Sequence, residues 1–90
     1  MKARGSLKTA VHEVRTLLES LGPPIAFRKL HGILNALEMQ VEDGEYQRHA
    51  VARLCEALLA TAELYDIPEG KAGRLEELTC GVIEQAERRG

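Results

Sequence analysis

The sequence predicts an all-α fold, a small bundle of four antiparallel helices, and three observations carry that expectation. Apolar residues recur at alternating spacings of three and four along four separate segments, which keeps them on one face of a helix. Short stretches containing Gly, Pro and Asp join the segments and bring consecutive helices back beside one another. Of 90 residues only Phe27, Tyr46 and Tyr65 are aromatic, so the core has to be built from Leu, Val, Ile and Ala, side chains that helices pack well.

The first helix is expected over 6–21: Ser6 suits an N-cap, and Leu7, Val11, Val14, Leu18 and Leu21 form the stripe. It ends at "LGPP", where Gly22 suits a C-terminal cap and the prolines prevent continuation. Pro24 can open a second helix over 24–42, carrying Phe27, Leu30, Leu34, Leu37 and Val41. Asp43 and Gly44 in "EDGE" turn the chain into a third helix over 45–65, with Val51, Leu54, Leu58 and Ala62 as its stripe and Cys55 and Leu59 widening it. In "YDIPEG", Asp66 suits an N-cap with Glu69 three positions on, as in a capping box, and opens a fourth helix over 67–88. That helix buries Leu75, Leu78, Val82 and Ala86, while Gly70, Gly73 and Gly81 each weaken it by about 1 kcal/mol relative to alanine. The second and third helices have the strongest stripes and are expected to form the central hairpin.

A chain of 90 residues is a single domain, 1–90, and buries a modest share of its surface, so a second copy is a natural supplement to the core. The net charge of −2 conceals an asymmetry. Residues 1–31 carry six Lys/Arg against two acids, and residues 32–90 carry six against twelve. Such a split can steer a charged partner to one end or be satisfied internally. "MKARGSLKTAVHEV" has no continuous apolar run of the kind that directs secretion, and no segment resembles a transmembrane stretch of about 20 apolar residues. Cys55 and Cys80 are too few for a disulfide scaffold, so a cytoplasmic protein with reduced thiols is expected, without a membrane partner.

"GEYQRHAVARLCEA" sets Glu45 four residues before His49, and Cys55 six residues after it. On one continuous helix Glu45 and His49 share a face, but Cys55 lies about 120° away from His49, so the three do not converge on one ion. Glu38 and Glu42 could join Glu45 and His49 across a hairpin in a loose metal- or ligand-binding cluster, the least favoured reading. The E-x-x-H spacing of di-iron bundles is absent, and "HEVRT" at His12 lacks the second histidine of H-E-x-x-H. Neither cysteine has a neighbouring cation or helix start that would make it a thiolate, and no nucleophile elbow, P-loop or dinucleotide-binding glycine pattern occurs. No enzyme activity, catalytic residue, metal or cofactor is expected.

What the sequence favours is a non-enzymatic protein–protein interaction module, an adaptor, chaperone or anti-activator type of regulator, acting as a homodimer. Apolar residues beside or off the main stripes, Leu17, Ile25, Ile33, Met39, Leu59, Leu64, Ile67 and Ile83, exceed what a small core absorbs. The hairpin residues Phe27, Leu30, Leu34, Leu37, Leu54 and Leu58 are the expected contact surface, toward another protein or a second copy. The alternative is a small DNA-binding transcriptional regulator reading a groove with Arg28, Lys29, His31 and Asn35 at the start of the second helix, with Lys2, Arg4 and Lys8 in support. The pI near 5.9 weighs against it.

Overall fold

A computed structural model describes residues 6–42 and 45–89. Four α-helices follow one another, α1 Ser6–Leu21, α2 Arg28–Glu42, α3 Arg48–Ala62 and α4 Glu69–Arg89, with a 3₁₀ turn at Pro24–Phe27 leading directly into α2. Each helix packs on its neighbours in the chain, and α4 returns against α1, so the four enclose one core. The fold is a compact helical bundle with a radius of gyration of 12.4 Å. No helix among the described residues is long and apolar enough to cross a membrane.

The core follows the 3–4 spacing. Leu7, Val11, Val14 and Leu18 of α1 and Leu30, Leu34, Leu37 and Val41 of α2 are buried, as their stripes require. On α3 the buried line is Val51, Cys55 and Leu58, and on α4 it is Leu75, Thr79, Val82 and Ala86, while Leu54 and Leu78 are only half-buried. In both helices the smaller residue occupies the centre of the seam and the adjacent leucine lies at its edge. The core closes within one chain.

Three connections set the helix ends. Gly22 takes φ +152°, a region that favours glycine, and a Cβ there would lie 3.2 Å from Phe27 Cε2. Pro23 is extended, and its carbonyl accepts a hydrogen bond from the Ala26 amide at 3.0 Å, so the prolines make a 3₁₀ turn where the sequence alone suggests the first turn of a longer α2.

The helix α3 starts at Arg48, after Gln47 as N-cap, rather than at residue 45. It ends at Ala62 through i→i+3 bonds from the amides of Glu63, Leu64 and Tyr65, which tighten the last turn. The capping box predicted for α4 does not form: Asp66, Ile67 and Pro68 all precede the helix, and Glu69 is its first residue. A carboxylate there still complements the positive end of the helix dipole. The side chain of Ser6, the Asp43–Gly44 turn and the basic positions Lys2 and Arg4 lie outside what is described.

At the end of the bundle where α3 closes, the Phe27 and Tyr65 rings meet at 5.3 Å between centroids, inclined by 43°. This aromatic pair ties the 3₁₀ turn before α2 to the α3–α4 connection.

Candidate functional site

The hairpin residues expected to meet a partner divide in two. Leu30, Leu34, Leu37 and Leu58 are completely buried in the core of the chain itself. Phe27 and Leu54 are half-buried and pack against that core from its edge. Four of the six are therefore closed to any partner while the bundle is intact. Periodicity identified them because a core seam and a docking seam have the same spacing.

Among the described residues, the large apolar side chains that face outward are Ile25, 74% exposed, Leu64, 75%, and Met39, 71%. Ile25 and Leu64 are within two residues of Phe27 and Tyr65, the two rings in contact, so both belong to the same end of the bundle. Leu17, Ile33, Leu59, Ile67 and Ile83, also surplus to the stripes, are half-buried against the core.

Beside that end, the last turn of α3, the connection and the first turns of α4 line a groove of about 380 Å3. Leu59, Tyr65, Ile67 and Leu75 give it an apolar floor. Glu63, Glu69 and Glu76 also line it, and all three are exposed. Gly73 lines it too, with nothing within 4 Å of where a Cβ would stand.

A second concavity, of about 420 Å3, lies between α1 and α2 and is lined by Lys8, His12, Glu38 and Glu42 beside Val11 and Val41. Of its polar lining, Glu38 is already engaged. Arg15 Nε and Nη2 donate to Glu38 Oε2 and Oε1 at 2.5 and 2.6 Å, and Nη2 also donates to Asn35 Oδ1 at 2.9 Å. Hydrogen bonding from Arg15 holds the Glu38 carboxyl below the usual carboxylate range, and the guanidinium's own pKa is raised by the same contact.

The basic start of α2 does not present its four residues together. Arg28 and Lys29 are exposed, but His31 is only 9% exposed, with Nε2 buried and without a hydrogen-bond partner, and Asn35 is engaged by Arg15. His31 is seven positions before Glu38, two helical turns, and so lies on the face of α2 that Arg15 of α1 meets. A base-reading helix needs these side chains on one accessible surface.

The loose acidic cluster also comes apart. Glu45 precedes α3 and His49 lies in its first turn, so the i,i+4 geometry of a shared helix face is not present. Among the described residues no group of three or more His, Cys, Asp or Glu is placed to hold a metal ion. Cys55 is fully buried, and loss of solvent pushes its thiol up to about 12, whereas Cys80 is exposed on α4.

Two features escaped the reading of the sequence. The Arg15–Glu38 fork joins residues 23 positions apart, and only a register between helices brings them together. The α3–α4 groove depends on where α3 stops, which the apolar stripe leaves open. The recurrence of acids at six and seven residues across the connection, Glu63, Glu69 and Glu76, is the available signal, with Glu69 and Glu76 two turns apart on one face of α4.

No protein-family model matches this chain, and neither a curated protein nor a solved structure matches it.

Proposed function

We propose that this chain is a non-enzymatic protein-interaction module, a small helical adaptor, chaperone or anti-activator, whose contact surface is the end of the bundle carrying Ile25 and Leu64. The observation that carries the reading is the exposure of these two large apolar side chains, 74% and 75%, each within two residues of one ring of the Phe27–Tyr65 pair. A core that closes within one chain does not need them, and apolar side chains grouped on an otherwise polar surface favour association. The antiparallel order of the helices follows from the short connections and puts both segments at that end. A second copy docking through the same end would make the homodimer, in a cytoplasmic protein with reduced thiols.

The test is a pull-down of the tagged chain from native lysate, in nuclease-treated and untreated halves, beside an Ile25→Ser/Leu64→Ser double variant. The expected result is a protein recovered near one-to-one, indifferent to nuclease and lost from the variant, with a second copy scored separately by light scattering. Recovery of nucleic acid, or of proteins that disappear with nuclease, would replace this reading with the DNA-binding one.

A further inference from the structure

The groove between α3 and α4 has a chemistry of its own, and we infer that it docks an apolar segment flanked by lysine or arginine, contributed by a partner protein. The inference deepens the interaction reading by naming the kind of segment bound, and it rests on that reading.

The floor, Leu59, Tyr65, Ile67 and Leu75, offers apolar contact in a volume of about 380 Å3. That falls within the range of about 300–1,000 Å3 in which folded proteins bury small ligands, and it can seat the anchor side chains of a short helix. The rim is one sign only. Glu63, Glu69 and Glu76 are exposed, line the groove and have no ion-pair partner among the described residues.

The two cations in the first turns of α4 are directed elsewhere. Lys71 Nζ donates to the Ser20 carbonyl oxygen at 3.3 Å, on α1, and Arg74 Nη1 is paired with Glu77 Oε1 at 3.2 Å. Among the described residues, none that lines the groove is basic. Three carboxylates around an apolar trough therefore stand uncompensated, and electrostatic complementarity selects a segment whose apolar anchors are bordered by positive charge. Gly73 adds a geometric reason: the open space over its Cα lets a partner approach the α4 backbone closely, at a position where alanine would make a better helix.

The experiment uses the whole chain and three fluorescent 14-residue peptides: an amphipathic Leu/Lys peptide, a Leu/Glu counterpart of identical apolar pattern, and a Leu/Lys peptide of the same composition scrambled to destroy that pattern. Fluorescence anisotropy is read at low and moderate salt, with circular dichroism on every variant. The Leu/Lys peptide should bind saturably, and the Leu/Glu and scrambled peptides at least about tenfold more weakly, a difference of about 1.4 kcal/mol. Glu69→Lys/Glu76→Lys should reverse the charge preference, and Gly73→Leu, which fills the groove from an exposed position, should abolish binding. At moderate salt a control reversal at the far part of α4, Glu84→Lys/Glu87→Lys, should leave binding within about twofold, since exposed charges farther off than the Debye length, about 10 Å at about 0.1 M, are largely screened.

Equal loss in the control, or undiminished binding by Gly73→Leu, would mean attraction to net charge alone and would overturn the groove. So would a native partner that the Ile25→Ser/Leu64→Ser chain loses and the Gly73→Leu chain retains, although the interaction reading would then stand. Absence of peptide binding to the unaltered chain also overturns the inference.

Discussion

Arg15 of α1 and Glu38 of α2 meet fork to fork, Nε to Oε2 at 2.5 Å and Nη2 to Oε1 at 2.6 Å, and this pair fixes the register of the two helices at their polar margin. Asn35 Oδ1 accepts a further bond from Nη2 at 2.9 Å, and Glu19 adds a looser contact at 3.3 Å. The two-point geometry makes the pair stronger than an ordinary surface ion pair, while partial exposure, 27% for Arg15 and 34% for Glu38, lets water screen it. Replacing Glu38→Gln should therefore destabilise the fold by about 1 kcal/mol, read from the midpoint of urea unfolding.

The same pair makes stability pH-dependent in a defined direction. In the unfolded chain the Glu38 carboxyl takes up its proton near the ordinary 4.5, and in the folded protein only at lower pH. Its contribution is complete above that ordinary value and is lost as the pH falls through the lowered one. Unfolding midpoints of the unaltered chain and Glu38→Gln should accordingly differ at pH 7 and converge on acidification. A difference that persists at the acid end would assign the effect to packing.

Two kinds of glycine should respond oppositely to alanine. Gly22→Ala places a Cβ at φ +152° and 3.2 Å from Phe27 Cε2, and should lower stability by about 1 kcal/mol or more. Gly32→Ala and Gly81→Ala lie in helix interiors where the new Cβ meets nothing within 4 Å, and each should raise stability by about 0.5–1 kcal/mol. Thermal unfolding of the three variants in one buffer decides it.

Much of the fold was legible in the sequence because apolar spacing is a local property. The four stripes, the Gly22 cap and the break before α4 could be read one residue at a time. Which of two adjacent residues enters the core depends on how helices rotate against one another. The 3–4 spacing puts Leu54 and Leu78 in the stripes with Cys55 only widening the first, yet Cys55 and Thr79 occupy the centre of the seams, where the space between packed helices suits the smaller side chain. The interaction surface was less legible still. Leu34 and Leu37 carry the same signal whether they face a partner or their own core, and only the three-dimensional closure of the bundle distinguishes them.

Thr79 shows a cost of that packing. Its side chain is fully buried and Oγ1 has no hydrogen-bond partner. Thr79→Val keeps the shape and removes the unsatisfied hydroxyl, and should stabilise the fold by about 1 kcal/mol. An unchanged or lower unfolding midpoint would show that the hydroxyl finds a partner in solution.

The two thiols should report the core directly. Cys80 is exposed, whereas burial raises the Cys55 thiol to about 12 and shields it from reagents. At pH 8 an aromatic disulfide reagent should therefore modify one thiol per native chain, and the second only in denaturant. Because a thiol reacts as its thiolate, any slow modification of Cys55 should follow the rate or population of opening. Rapid modification of both would mean that α3 and α4 part readily.

Separating core from contact surface requires substitutions of both kinds measured in both ways. Leu37 is fully buried, so Leu37→Ala should cost about 2–5 kcal/mol through lost burial and the cavity left behind. Ile25 and Leu64 are mostly solvated already, so Ile25→Ser and Leu64→Ser should shift stability by no more than about 0.5 kcal/mol. Partner recovery should run the other way: lost in the two serine variants at unchanged stability, and kept by Leu37→Ala at a temperature where it remains folded. If the serine variants unfolded instead, Ile25 and Leu64 would be supporting the Phe27–Tyr65 junction, and the surface would have to be sought at Met39.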